Sequence, residues 1–584
     1  MKTVASILLR SRFAVKLLGA GLVASSFAAF AQNPNSIVFS KHNLAISSSG
    51  SVHATTESDV CIFCHTPHNA TGDGPLWNHA MSTAAYTPYS SATLKAVVGQ
   101  PNGSSKLCLS CHDGTIALGM VNSRGTAITM NSATMPAGLS NLGTDLSADH
   151  PISFAYNTAL VTANGKLHDP NTLGPDVRLD RSGQLQCTSC HDPHNNQFGS
   201  FLVVDNTGSA LCLTCHTVAP SSASSHVNST LPLPAALAAL LNPPSSGAVK
   251  KAATKTTVAS AGCASCHVPH TAATKQSLMR FSTPDQNCLP CHSGVGPGKN
   301  MAPELNKISG HPLLLAADTH NAQEDPINPP TRHATCADCH NTHVSSSTLG
   351  SQTQLSGALN GVVGISAGGT RISAITHEYE LCFRCHADSA QRGPARVPRQ
   401  TVETNTRREF SPSNGSFHPV EAAGKNSRVP SLILPLTTAS TMNCTDCHNN
   451  DAGPGAGGTG AKGPHSSVYT PLLERQLLLT DGTPYTANNF ALCYKCHSSS
   501  VVDSSLTTSW RYHKKHIEEF RAACTTCHDS HGASQAHLVN FNPTYVKPYN
   551  GVISYTSTGV NHGTCTLSCH DGSGQNEAHK PKSY

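Results

Sequence analysis

Cys61-Ile62-Phe63-Cys64-His65-Thr66-Pro67-His68 is the stretch on which the reading of this chain turns. Two thiols three residues apart, with an imidazole beside the second, lie on one face of a single helical turn, so one short segment presents all three groups to the same object. His68, three residues beyond His65, points away from that object and towards a neighbour.

The pattern returns along the whole chain. C-x-x-C-H stands at Cys61, Cys64 and His65; Cys108, Cys111 and His112; Cys187, Cys190 and His191; Cys212, Cys215 and His216; Cys263, Cys266 and His267; and Cys288, Cys291 and His292. It continues at Cys336, Cys339 and His340; Cys382, Cys385 and His386; Cys444, Cys447 and His448; Cys493, Cys496 and His497; and Cys524, Cys527 and His528. A twelfth copy, Cys565, Cys569 and His570, has one extra residue between its thiols, which forces the turn there to bulge or change pitch. Together the motifs use all 24 Cys. Paired thiols also suit tetrahedral zinc, and many Cys in an exported chain suit disulfides. Neither explains a His after every second Cys. The spacing is that of covalent c-type haem attachment, in which the thiols form thioethers and the adjacent imidazole becomes an axial iron ligand. Twelve covalently attached haem c groups are expected.

The first 31 residues read as a targeting segment: Lys2, Arg10, Arg12 and Lys16 precede the apolar run Leu17 to Phe30, which ends in Ala29-Phe30-Ala31. Cleavage after Ala31 leaves Gln32 first, with no Cys for a lipid anchor. An exported protein of the periplasm or the cell surface is expected, with no membrane span. The most apolar stretch, Leu231 to Leu241, contains Pro234 and is far short of the roughly 20 residues a bilayer needs.

With 38% hydrophobic and 5% aromatic residues in 584, the polypeptide offers little core of its own. The porphyrins must supply it. The fold class expected is irregular and loop-rich, with short α-helices at the motifs, few strands, and haems forming the core; without haem the chain cannot offset its conformational entropy. The sequence charge is +5. Losing the leader's four cations and gaining two propionates per haem brings the oxidised holoprotein to about −11 and the reduced one to about −23. Nucleic acid is therefore excluded as a partner despite the basic polypeptide.

The motifs fall into six consecutive pairs. First members of five pairs have the trailing His, namely His68, His194, His270, His343 and His531. A low-spin haem carrier needs a second axial ligand, and 34 His less twelve proximal ones leave 22. The trailing residues are candidates. So are three His-Pro residues, His150, His311 and His418, because proline fixes an extended backbone that presents a ligand from a loop. His42, His79, His465 and one of His513 or His516, with His516 preferred, complete the set; His53, His333, His377, His537 and His562 compete. Composition suggests tetrahaem modules at 32–220, 261–435 and 436–584, with a linker at 221–260 rich in Ser, Ala, Pro and Thr.

These residues resemble the bacterial multihaem c-type cytochromes with doubled C-x-x-C-H motifs. Residues 37–220 more specifically resemble tetrahaem extracellular cytochromes of metal-reducing bacteria, through Lys41-His42-Asn43-Leu44, Cys61 to Ala70, Pro75-Leu76-Trp77-Asn78-His79, Leu107 to Thr115, Asp149 to Ile152 and Cys187 to His194. The resemblance implies bis-histidine ligation, with His42, His68, His79 and His150 the matching distal positions. It also implies, from filament-forming relatives, that a surplus His such as His194 is lent to a later haem or to another copy of the chain.

The function expected is electron carriage by haem-to-haem hopping in extracellular respiration, with other redox proteins and extracellular acceptors such as metal oxides as partners. Two rivals stay open. One is a multihaem oxidoreductase with one open iron position, though no C-x-x-C-K exists to mark it. The other is a filament-forming structural cytochrome, a homopolymer.

Overall fold

The computed structural model describes residues 35–217, 224–242, 254–313, 333–390, 393–502, 510–559, 561–570 and 576–583; from residue 570 onward only the backbone is described. The leader at 1–31 and residues 221–223 and 243–253 of the stretch read as a linker lie outside these residues. No described helix is long and apolar enough to cross a membrane.

Most of the regular structure is short turns and two-residue strands, and the motifs are where the turns form. The local cause is capping. In the turns Cys187–Cys190 and Cys336–Cys339 the residue before the first Cys, Gln186 or Thr335, exchanges hydrogen bonds with Ser189 or Asp338 inside the motif. Asn443 and Asp446 do the same around Cys444. These boxes satisfy N–H groups that the first turn would leave unpaired.

Each turn closes in the same way. The N–H of the motif His donates to the carbonyl of the first Cys, at 2.8 Å for His65 on Cys61 and for His267 on Cys263, and at 3.0 Å for His191, His340, His497 and His528 on their own. In several motifs the His itself then leaves the helix: His191, His216, His340 and His528 have extended backbones. Longer helices occur at Gly103–His112, Pro284–His292 and Glu378–His386, where the His is the last helical residue.

The twelfth motif departs from the expected helical turn. Cys565 and Cys569 lie in the strand His562–His570, between Ser554–Gly559 and Asn576–Ser583 in an antiparallel sheet. Four residues apart in a strand, the two thiols fall on the same face. A three-residue spacing would have put them on opposite faces, so the extra residue is what allows a strand to serve.

Apolar packing occurs as islands around the motifs. Leu473, Leu477, Phe490, Leu492, Val502, Ile517 and Ala523 form one, with Cys447, Cys493 and Cys524 against it. Val539, Phe541, Val546 and Leu567 form another, with Cys527, Cys565 and Cys569 against it. Ala45, Ala54, Ile62 and Phe63 surround Cys64. The chain divides into two compact units: residues 1–217 with 239–255 and 260–280, and residues 218–238 with 256–259 and 281–584. The first holds five motifs and the second seven.

Candidate haem-ligand centres

The motif imidazoles are held in one tautomeric sense. Nδ1 of His65, His112, His191, His267 and His528 lies 3.0, 2.7, 2.8, 2.7 and 2.8 Å from the carbonyls of Pro75, Ser140, Ser200, Ser277 and His537. His292, His340 and His448 are held the same way on Lys299, Ala358 and Pro471. With Nδ1–H donating to a backbone carbonyl, Nε2 is the free base that a metal needs.

A repeated loop aims five of those carbonyls. In each, the residue after the acceptor is apolar and sits at positive φ: Leu76 (53°), Phe201 (57°), Leu278 (50°), Leu472 (59°) and Leu538 (58°). Such a backbone is costly for a non-glycine residue. Its recurrence after odd-numbered motifs marks it as part of the site, and no residue type announces it in the sequence.

Facing these imidazoles are second imidazoles at a nearly constant separation. Ring centres are 6.0 Å apart for His65 and His194, 6.1 Å for His42 and His112, 6.2 Å for His191 and His270, and 6.3 Å for His150 and His216. In the second unit they are 6.3 Å apart for His226 and His292, and 6.2 Å for His311 and His386, His340 and His465, His448 and His531, and His513 and His528. Metal–imidazole bonds of about 2.0–2.1 Å on both sides, with about 1.1 Å from each nitrogen to its ring centre, put two axial rings about 6.2 Å apart. The residues present therefore fit an iron held between them. For His497 the neighbour is His418: burial and then that imidazole hold His497 down to about 4.

The partners follow two rules. Even-numbered motifs take a His from 66–79 residues upstream: His42, His150, His226, His311 and His418. Odd-numbered motifs 1, 3 and 9 take the trailing His of the motif two places later: His194, His270 and His531. A trailing His points away from its own turn, and what lies there is the odd-numbered motif two places back.

Several expected positions are placed differently. His194 reaches back to the first motif, not forward to a later one. His68 is exposed, and no ring contact is described for it. His79 is fully buried, with Nδ1 2.9 Å from the carbonyl of Ala80 and its backbone bridged to Val121; it clamps two segments together and faces no described motif His. His516 donates to the Tyr512 carbonyl at 2.8 Å and lies beside Trp510, while His513 faces His528. His343 bonds Asn341 through its backbone. The side chain of His570 lies outside the described residues.

His226 is the functional residue that sequence reasoning missed. It sits in the stretch read as a linker, on the turn Ser225–Asn228 capped by Ser224. Its signal was the upstream spacing rule, which becomes visible only once the other even-numbered pairs are known.

Burial holds several of the facing rings neutral, while Glu409 raises His531. Burial pushes His42, His150, His448 and His465 down to about 4 and His513 to about 3, with neighbouring His adding to the effect. A neutral imidazole is the form that binds iron. Asp149 stands 3.3 Å from Nδ1 of His270, and Glu409 2.9 Å from Nδ1 of His531.

Comparison with known families agrees with this geometry. Residues 181–220 and 256–296 match the doubled CXXCH motif, and residues 371–539 match the outer membrane cytochrome MtrC/MtrF-like family, domains II/IV. The chain carries the signature of the multihaem c-type electron-transfer cytochromes. No curated protein matches the cytochrome.

The motifs also touch in order. First thiols interact electrostatically across motifs 2 and 3 (Cys108 and Cys187), 4 and 5 (Cys212 and Cys263), 6 and 7 (Cys288 and Cys336), 8 and 9 (Cys382 and Cys444), and 10 and 11 (Cys493 and Cys524). Second thiols interact electrostatically across motifs 1 and 2, 3 and 4, 7 and 8, 9 and 10, and 11 and 12. Within each unit the motifs thus run in sequence order, alternating between two kinds of contact.

Proposed function

We propose that the protein is a dodecahaem cytochrome that conducts electrons along its length, exported to relay them from periplasmic redox proteins towards extracellular acceptors such as metal oxides. The observation that supports this most is the unbroken alternation of motif contacts within each unit, which leaves no long gap between consecutive sites of the same unit. Haem c, when bound, supplies one-electron Fe(III)/Fe(II) chemistry, and a closely spaced file of such groups passes electrons from one to the next.

The chain's own part is fourfold. Its 24 thiols would fix the haems covalently, and its paired imidazoles would hold the iron. The carbonyls behind Nδ1 orient each ring. Burial keeps His42, His150, His448, His465 and His513 unprotonated. Bis-imidazole ligation, a better donor set than imidazole and thioether, favours ferric iron and negative potentials. Mass and haem content of the purified holoprotein test the proposal: twelve haems per chain, taking up twelve electrons in a reductive titration, is the expected result. A count of eleven or fewer would break the file, and a site that turned over nitrite or hydroxylamine would replace conduction with catalysis.

A second reading is favoured by one observation. His194, His270 and His531 each face the His of the motif two places back, whereas His68 is exposed and no ring contact is described for it. A homopolymer in which His68 serves another copy follows. An H68A variant that stays monomeric where the wild type assembles would support it, and unchanged assembly would remove it.

A further inference from the structure

The imidazoles opposite the motif His differ in what stands behind Nδ1. His42, His150, His311 and His418 have the neutral backbone carbonyls of Pro193, Pro151, Pro464 and Ser530. His270 and His531 have carboxylates. We propose that Asp149 and Glu409 are positioning residues that set the reduction potentials of the sites at motifs 3 and 9 below those of their neighbours; this rests on the bis-imidazole reading above.

Both contacts are built by the fold. Asp149 is 4% exposed, and its Oδ1 also accepts the Thr271 N–H at 3.0 Å. It stands next to His150, whose N–H donates to the Pro269 carbonyl at 2.7 Å. One dipeptide therefore braces the ligand of motif 3 through Asp149 and supplies the ligand of motif 4 through His150. Glu409 ends the short helix Thr406–Glu409, which a paired-strand contact between Ser416–Phe417 and Gly532–Ala533 brings against His531. A Cβ at residue 532 would lie 1.9 Å from the Glu409 carbonyl, so only Gly there permits the approach. Phe410 covers the His531 ring at 5.0 Å between centres. Asp529, the third member of this cluster, is occupied by Arg399 at 3.2 Å and by Asn540.

An imidazole whose N–H donates to a carboxylate is a more basic ligand than one donating to a carbonyl. A buried negative charge nearby also acts with little screening. Both effects favour the ferric state. Reduction there adds one electron and no proton, so the full cost of the added charge falls on the potential. Asp192, by contrast, lies 3.6 Å from Nδ1 of His194, and the two side chains are 46% and 62% exposed, so solvent screens that pair. One low site within the ordered file of each unit divides that file into segments between which electrons must climb.

The test is a potentiometric titration of the holoprotein with dithionite as one-electron donor, followed by electron paramagnetic resonance, for the wild type, D149N, E409Q and D192N. The expected result is that one low-lying component rises in D149N and another in E409Q, each by roughly tenfold in its reduction equilibrium, about 59 mV for one electron. The low-spin signals are retained and D192N is unchanged. E409D, which keeps the charge, stays near the wild type even if E409Q folds poorly. Unmoved components in D149N and E409Q, or a uniform shift of all of them, would overturn the inference while leaving the bis-imidazole reading intact. High-spin signals in the wild type would instead overturn that reading itself.

Discussion

The even-numbered and odd-numbered motifs of this chain solve one problem in two ways. An even-numbered motif receives its facing imidazole from an upstream loop, often a His-Pro, with a backbone carbonyl behind the ring. Motifs 1, 3 and 9 receive theirs from another motif, and behind His270 and His531 stands a carboxylate. The difference is one of dependence. A loop-borne ligand ties a site to the polypeptide, whereas a motif-borne ligand ties two sites to each other, so disturbing one odd-numbered motif reaches a second.

The largest expected effect is removal of a motif-borne ligand. H531A should convert one low-spin haem to a high-spin form that binds cyanide, and the resonance spectrum should also report a disturbance of the site at motif 11, where His531 is anchored. H150A should give the same loss at motif 4, while the backbone N–H that residue 150 gives to the Pro269 carbonyl stays in place, so the site at motif 3 should move less. Equal and strictly local effects in both variants would erase the distinction drawn here.

Acid should come next, and the sign can be stated. A group that titrates near 4 when folded and near 6.5 when unfolded binds more protons unfolded, so its contribution to stability is full above about pH 6.5 and is lost as pH falls towards 4. His42, His150, His448, His465 and His513 all act this way, at up to about 1.4 kcal/mol per pH unit each. Low-spin spectra are expected to stay constant from pH 8 to 6.5 while the denaturation midpoint falls steadily below that range.

The recurrent positive-φ residue is next in size. Ile at position 278 places a β-branched side chain where L-residues are already strained, so L278I should cost about 1–3 kcal/mol in the denaturation midpoint and loosen the carbonyl behind His267. The same exchange at Leu359, beside the Ala358 carbonyl that holds His340 without a positive φ, should cost less. The smallest effect is expected of D388N. Arg407 holds the Asp388 carboxylate below its usual range through two contacts, at 2.9 and 3.0 Å, and anchors the turn that presents Glu409. Its loss should cost about 1 kcal/mol, read by thermal denaturation.

Much of this was legible in the sequence because covalent attachment permits few residue choices: a thiol and an imidazole have no substitutes, so the motifs stand out. His-Pro was legible for a related reason, since proline fixes the chain that presents the ring. The pairing was not. His194 reaching His65 depends on packing between motifs more than a hundred residues apart, and His513 facing His528 in preference to His516 depends on how the turn after Trp510 is laid against the motif. His226 was hidden because a single His in a Ser- and Ala-rich segment has no local signature. The strand at the twelfth motif was half legible: the extra residue signalled a departure from the helical turn, while the remedy followed from the antiparallel partners at Ser554–Gly559 and Asn576–Ser583.

The most direct test of the facing imidazoles is an electron paramagnetic and optical spectrum of the oxidised holoprotein, with haem quantified per chain, before and after adding cyanide. Twelve haems, all low-spin and unresponsive to cyanide, is the predicted result. A high-spin, cyanide-binding haem in the unaltered protein would contradict it, because at least one site would then lack its second imidazole.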